Sequence, residues 1–408
     1  MSSQSFGSTN LWDIWLYVGI ATVIWIAAYH AQPNLSKTQI LLWAAAFRLA
    51  GLSAIPPLED DFYRFLWDGY VSVSGQSPYA LPPAAFFGVE NLSAKLETVL
   101  DGINHPAIAT VYGPVVQAVF ALAYAIAPAE LWALKLLLVL VELGLFVALA
   151  KHLSASKLLL LSWCPLMVFS TAFSAHTEII GISLAVWAYL LAKQQKPIYA
   201  AAVLALAAGA KLFALILLPW ILGQTWKSRF QAAPVFGIVI GLQALPFALL
   251  TSTITGGIAA WITEGLVAMG QHWQFNSPAI LTLTQLVGFT AAKTLALLVF
   301  LSWVAWQWRK PEPLPPAHQL FGLMLICSPV INPWYWCWLL PFAALQKSPW
   351  PWVGSVTMFL SYATSQNLGL DAQLGHYIPS WILLLEFGAI ALALCWGRYP
   401  KHLHPNRT

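Results

Sequence analysis

The chain has 408 residues, of which 59% are hydrophobic and only 8% charged, against about 25% charged in an ordinary soluble domain. So few charges cannot cover a water-soluble protein of this size, and the apolar residues come in runs near the roughly 20-residue length that crosses a hydrocarbon core. The net charge of +4 is carried by single Lys and Arg residues scattered through short loops, which is an orientation signal and not a nucleic-acid patch.

The first apolar run, Leu11 to Tyr29, has no basic segment before it and no small-residue cleavage site, so it reads as a retained helix. Further candidate spans follow at 39–56, 113–128, 131–150, 158–175, 178–192, 197–222, 232–251, 289–308, 317–331, 336–346, 350–369 and 378–396. Several are short or interrupted, so the expectation is an all-α helical bundle with about 11 to 13 crossings, forming one integral membrane domain over residues 1–408. The 22 tryptophans fit two membrane interfaces. Cys164, Cys327, Cys337 and Cys395 lie in apolar stretches with no CxxC pair, which argues against a disulfide framework or a zinc site.

Orientation follows from the basic residues. Lys227 and Arg229, Arg309 and Lys310, Lys347, and then Arg398, Lys401 and Arg407 fall in alternate loops and read as cytoplasmic. Loop 252–278, the turn at Ser328 to Trp334, and 369–377 are then external, and Lys37 marks a cytoplasmic first loop. The long segment 57–106 carries seven acids (Glu59, Asp60, Asp61, Asp68, Glu90, Glu97, Asp101) against Arg64 and Lys95. A cytoplasmic loop would carry the opposite bias, so 57–106 is read as the first large external loop. Placing Lys151, Lys157, Lys193 and Lys196 inside as well requires 107–128 and 197–222 to be re-entrant or broken. Gly209 before Lys211 makes a break natural in the second, because irregular backbone is tolerated at membrane depth where protein surrounds it.

The densest chemistry lies in 59–69. Read as a helix, Asp61, Arg64 and Asp68 share one face, and Phe62, Phe65, Leu66, Gly69 and Val73 form an apolar stripe. This predicts a juxtamembrane amphipathic helix lying greasy side down with carboxylates toward a cavity, ended by Gly75 and the Ser77-Pro78-Tyr79 turn. The bland reading is a solvated interfacial helix. Clustered carboxylates beside one arginine at a membrane weigh against it.

The run EDDFYRFLWDG over 59–69, followed by GQSPYALP over 75–82, resembles the first external loop of the C-type (GT-C) glycosyltransferases, most closely the bacterial polyprenol-phosphate-mannose-dependent mannosyltransferases. Four further stretches agree in order. Asn104-His105-Pro106 with Val111-Tyr112-Gly113-Pro114 resembles an NHP…YxP segment, and Trp163-Cys164-Pro165-Leu166 with His176-Thr177-Glu178 resembles WNPL…GHxD. Lys211 with Pro219 resembles a K…LP helix, and Asn332-Pro333-Trp334-Tyr335 a late PWY turn. Cys164 stands where the pattern has Asn, and Glu178 where it has Asp.

The resemblance implies a GT-C membrane hexosyltransferase, with mannose the expected sugar. It would use a polyprenyl-phosphate-linked donor and a lipid or glycan acceptor, at a bacterial inner membrane with the site facing the periplasm. An acceptor hydroxyl is a weak nucleophile until a carboxylate takes its proton. The leaving phosphate gains from a cation or metal that neutralises its developing charge, so a divalent metal ion is a possible cofactor with no ligands assigned. Asp61 is the first candidate for the base and Asp60 the second, since adjacent acids are not ranked by sequence; for either, a helix N-cap is the structural alternative.

Arg64, Asp68, His105, Tyr112, His176, Glu178, Lys211, Trp334 and Tyr335 are the candidates for donor phosphate or substrate binding. Each histidine alone is more often a hydrogen-bonded structural residue. Lys211 among Ala, Leu and Phe costs about 2.5–3.5 kcal/mol on insertion scales unless paired. Lys135 and Glu142 read as a packing pair on one helix, and Arg48, Lys293 and Glu386 as structural or snorkelling residues. The first rival reading is a lipid or glycan transporter or flippase, which would place its charges at midplane. The second is a non-catalytic assembly subunit, which would not need the carboxylate cluster.

Overall fold

Twenty-one consecutive, mostly apolar residues make Leu11–Ala31 (α1) a full membrane-length helix in the computed structural model. The structure describes residues 10–31, 34–223, 225–255, 273–310, 314–370 and 376–396, with single residues 265, 267, 270, 271 and 312. About half of the expected external loop 252–278 and most of 369–377 lie outside the described residues, as do Arg398, Lys401 and Arg407.

The described residues are helical and carry no β-strand, only one isolated parallel bridge between Phe275 and Val330. After α1 come α2 (Lys37–Leu49), α3 (Asp61–Val73), α4 (Ala94–Asp101), α5 (Pro114–Ile126), α6 (Leu131–Leu149) and α7 (Ala155–Ser162). Next are α8 (Pro165–Val168), α9 (Glu178–Lys193), α10 (Pro197–Ala210), α11 (Leu218–Ile221) and α12 (Trp226–Thr255). The C-terminal part holds α13 (Pro278–Val287), α14 (Phe289–Trp308), α15 (Ala317–Ile326), α16 (Leu340–Gln346), α17 (Trp350–Thr357) and α18 (Ser380–Trp396).

Among the described residues, four helices (α1, α6, α12 and α14) are long and apolar enough to cross a membrane. A fifth span results if Ala155–Ser162 and Pro165–Phe173, bent by 47°, are one. That is fewer than the 11 to 13 crossings expected, and the reason is local. Prolines at helix starts and polar residues inside apolar runs divide several expected spans into helices of 10–17 residues. One such division is the predicted break in 197–222: α10 stops at Ala210, Lys211 is extended (φ −152°, ψ 129°), and a 3₁₀ turn over Leu212–Leu217 follows.

α3 forms where the sequence placed it, with Gly75 at a positive φ (75°) just beyond its end. Its environment differs from a helix lying on lipid. Phe62, Phe65, Leu66 and Gly69 of the stripe are buried while Val73 at its end is exposed, and Arg64, Trp67 and Asp68 are buried too, because α3 packs against α4 and α5. Phe65 stacks on Phe120 of α5 at 4.9 Å. The tryptophans also divide: many are exposed, yet Trp67, Trp336 and Trp338 are among the largest fully buried side chains. Trp336 Nε1 meets the buried indole's need for an acceptor at the Pro351 carbonyl, 2.8 Å away, whereas Trp338 Nε1 has no acceptor among the described residues.

Buried charged side chains find partners, ionic for some and neutral for others. Arg48 of α2 grips Glu142 of α6 with two bonds, Nε–Oε2 at 2.7 Å and Nη2–Oε1 at 2.9 Å, and donates to the Ser162 carbonyl at 2.8 Å. One guanidinium thus joins α2, α6 and α7. The expected Lys135–Glu142 pair does not form. Two helical turns separate them by about 10 Å, and Lys135 Nζ instead serves the Gly51 carbonyl at 3.0 Å and the Ala54 carbonyl. Glu386 of α18 accepts from Asn276 Nδ2 at 2.7 Å, and Lys293 donates to the Gly270 carbonyl at 2.8 Å. All four cysteines are free.

Two ends of the bundle are chemically distinct. Lys37 opens α2 and donates to the Ala150 carbonyl at 2.6 Å, while Lys157 reaches the Ala344 carbonyl at 3.2 Å, near Lys347. Glu178 starts α9 and Lys193 ends it, about 22 Å away at about 1.5 Å per residue. Asp60 and Asp61 follow the far end of α2. Lys37 and Lys193 thus sit at the opposite helix ends from Asp60, Asp61 and Glu178, whereas Lys95 lies within the acidic segment and pairs with Glu130.

Candidate active site

The acid run begins α3. Asp60 occupies the N-cap position, but its side chain caps nothing; it accepts instead from Asn104 Nδ2 at 2.5 Å. The same amide donates to Asp61 Oδ1 at 3.2 Å, so Asn104 holds the two carboxylates side by side. Asp61 is only partly buried and keeps its other oxygen clear of that bond. Burial raises the Asp60 carboxyl above its ordinary value, and the adjacent charge of Asp61 adds to the rise.

Glu59, absent from the sequence-derived candidates, belongs to this cluster. Its Oε2 lies 3.5 Å from His176 Nε2. Burial, reinforced by the charge of Asp61, pushes its carboxyl up to about 7, although His176 and Tyr362 pull the other way. Burial alone would lower His176, but Glu59, Glu178 and Asp61 around it carry the balance upward. Trp334 stacks flat on the imidazole, centroids 3.6 Å apart and planes at 17°, and so fixes the ring. One ligand atom each from Glu59, Asp61 and His176 lies within 4.8 Å of the others, the group among the described residues able to hold a metal ion.

A second cluster adjoins the first. Lys211, in the break after α10, donates to Glu178 Oε1 at 2.7 Å and lies 4.3 Å from the centre of the Tyr335 ring. Tyr112 links the two clusters. Burial raises its hydroxyl well above the usual value, and the charges of Asp61 and Glu178 both reach it. Gly113 beside it cannot carry a side chain, since a Cβ there would stand 2.1 Å from the Gly209 carbonyl oxygen. That backbone contact sets the start of α5 against the end of α10, one residue from Tyr112 on one side and two from Lys211 on the other. Beyond Asp60, within electrostatic reach of it, His376 helps line a groove of about 330 Å³ with Gln274, Asn276 and Tyr377.

Asp60, Asp61, Tyr112, His176, Glu178, Lys211, Trp334 and Tyr335 therefore come together. Arg64 and Asp68 sit one to two turns further along α3 and are committed to each other at 3.1 Å. Asp68 Oδ2 also accepts from Thr110 Oγ1 at 2.5 Å and Gln117 Nε2 at 2.8 Å, and Arg64 donates to the Ile108 carbonyl. His105 is exposed at φ 48°, its ring edge-on to Trp273 at 4.6 Å. Sequence reasoning missed Glu59, Asn104 and Tyr362. Glu59 and Asn104 lie inside quoted motifs, while Tyr362 has no local signal, arriving from a 3₁₀ turn three hundred residues downstream.

An apolar helical bundle with a carboxylate–imidazole cluster beside a lysine, at the helix ends opposite Lys37 and Lys193, has the parts of a membrane glycosyltransferase. Residues 3–227 match the family described as alpha-(1->6)-mannopyranosyltransferase, N-terminal domain, and the chain belongs to that family. Neither a curated protein nor a solved structure matches it. It is an integral membrane glycosyltransferase of a mannosyl-transferring family, acting on a sugar donor and an acceptor.

Proposed function

We propose that the chain transfers mannose from a polyprenyl-phosphate-mannose donor to a hydroxyl of a lipid or glycan acceptor, on the periplasmic face of a bacterial inner membrane. The observation that carries the reading is the position of Asp61. It is partly open, held by Asn104, and within reach of the charges of both the Glu59–His176 and Glu178–Lys211 clusters. A carboxylate so placed takes the acceptor proton as the oxygen attacks the anomeric carbon. The bond from that carbon to the phosphate oxygen breaks, and its electron pair leaves with the lipid phosphate. Lys211, steadied by Glu178 and Tyr335, meets the charge that grows on that phosphate. A single displacement on a β-linked donor gives an α-glycoside. The separation of Lys37 and Lys193 from the acids supports the external placement of the site.

The test is transfer by the purified chain in detergent, using a synthetic polyprenyl-phosphate-mannose and a mannoside acceptor. Mannosylated product from the lipid donor, and none from a nucleotide-linked mannose, is the expected result. Transfer only from the nucleotide sugar would overturn the donor assignment.

A further inference from the structure

His176 is 2% exposed, and its Nε2 makes no hydrogen bond among the described residues. Glu59 Oε2 stands 3.5 Å away and forms no hydrogen bond with it. Leaving a buried donor or acceptor unmatched costs about 1–3 kcal/mol, and Trp334 lying flat on the ring prevents the imidazole from turning toward another partner. The orphaned nitrogen faces Glu59 Oε2, and one ligand atom each from His176, Glu59 and Asp61 lies within 4.8 Å of the others.

Charge gives a second, independent argument. Glu59, Asp60, Asp61 and Glu178 bring four carboxyl groups to the site against Lys211 and the imidazole, although burial holds Glu59 and Asp60 toward their neutral forms. Arg64 does not redress the balance, being committed to Asp68. Lys211 already bonds Glu178. An anionic phosphate approaching this pocket meets Asp61 and Glu178, with Lys211 shared between Glu178 and the phosphate, and a further cation would offset that charge.

We infer that Glu59, Asp61 and His176 form a binding site for one divalent cation of the Mn²⁺ type. Two carboxylates and one imidazole suit Mn²⁺, which accepts hard oxygen ligands along with a nitrogen. Three protein ligands leave coordination positions open for phosphate oxygens. Asp61 gives one oxygen to the cation and keeps the other for the acceptor hydroxyl. The part played toward the phosphate rests on the transfer reading above; the binding of the ion does not.

The experiment is a Mn²⁺ titration of the purified full chain in detergent without donor, followed by electron paramagnetic resonance. One bound ion per chain, with nitrogen-14 modulation from a single imidazole in the pulsed spectrum, is expected. Glu59→Gln should weaken binding by about tenfold or more, and His176→Gln should abolish the modulation, with thermal melts confirming that each variant folds. If His176→Gln fails to fold, the wild-type modulation and Glu59→Gln decide the matter alone. Free Mn²⁺ throughout the titration, bound ion without nitrogen modulation, or unchanged binding in the variants would each overturn the site. Transfer that persists in EDTA together with no bound ion sinks the cation site and leaves the transfer reading standing. A bound ion with no transfer from the lipid donor does the reverse.

Discussion

Lys211 Nζ and Glu178 Oε1 lie 2.7 Å apart, joining the break after α10 to the first residue of α9. Glu178 is 5% exposed, so the pair is more than a surface contact. Replacing Lys211 by Met removes a charge-assisted bond worth about 1.5–3 kcal/mol and strands a buried carboxylate. Lys211→Met should therefore raise the KM for donor and lower turnover. Adding Glu178→Gln should restore the melting temperature without restoring transfer. Recovery of both in the double variant would reduce Lys211 to a structural partner.

Arg48 and Glu142 offer the corresponding test far from the chemistry. Both side chains are 0% exposed, and breaking one partner of such a pair costs about 3–5 kcal/mol. Arg48→Met and Glu142→Gln should each lower the thermal midpoint sharply. The double variant should recover much of that loss, and the specific activity of whatever remains folded should be unchanged.

These two pairs also mark what the sequence could and could not reveal. Lys211 was legible because a lone lysine in an apolar run demands a partner, and Gly209 beside it announced the break. Its partner lies 33 residues away, and the sequence placed Glu178 in the site only through a motif. For Lys135 and Glu142, helical spacing named the wrong partner, because tertiary packing brought Arg48 in from another helix. The acid run fixed α3 and its Gly75 stop. It did not reveal that Asp68 is consumed by Arg64, Thr110 and Gln117, since two of those partners come from the segment around α5. Glu59 went unranked because its importance comes from His176, 117 positions on, and from burial that no local pattern encodes.

Backbone contact between Gly113 and Gly209 predicts a steric effect. A methyl at 113 would stand 2.1 Å from a carbonyl oxygen that cannot swing aside as a side chain can. Gly113→Ala should push the start of α5 away from α10, displacing Tyr112 and Lys211 relative to each other. Transfer should fall well before the protein loses its fold, measured as activity against thermal midpoint. Full activity in Gly113→Ala would mean that the two elements need not touch.

External placement of the acidic loop is testable by labelling. Ser93 caps α4, accepting from Leu96 N at 3.3 Å, so a probe there would disturb the helix; Glu90 is exposed and caps no helix. In a Cys395→Ser background, which removes the exposed native thiol, Glu90→Cys should react with a membrane-impermeant thiol reagent in spheroplasts. Reaction only after lysis would place the loop, and the acids with it, on the cytoplasmic side.

The enzymatic reading depends most on Asp61. Asp61→Asn keeps the side chain's shape and the Asn104 contact while removing its basicity. Loss of a general base costs about 10²–10⁴ in rate, or roughly 3–5 kcal/mol of transition-state stabilisation. The expected result is that fall in kcat with little change in donor binding, because the base acts on the acceptor. Asp60→Asn should be milder, since Asp60 is held more closely by Asn104, at 2.5 Å against 3.2 Å, and is less free to meet a substrate. Asp68→Asn separates chemistry from architecture: Asp68 is 1% exposed and bonded to three side chains, so its replacement should lower the melting temperature more than it lowers turnover per folded molecule. If Asp61→Asn and Asp60→Asn both transfer at near wild-type rates, neither is the base. Glu178, within reach of the same tyrosines, is then the carboxylate to replace next.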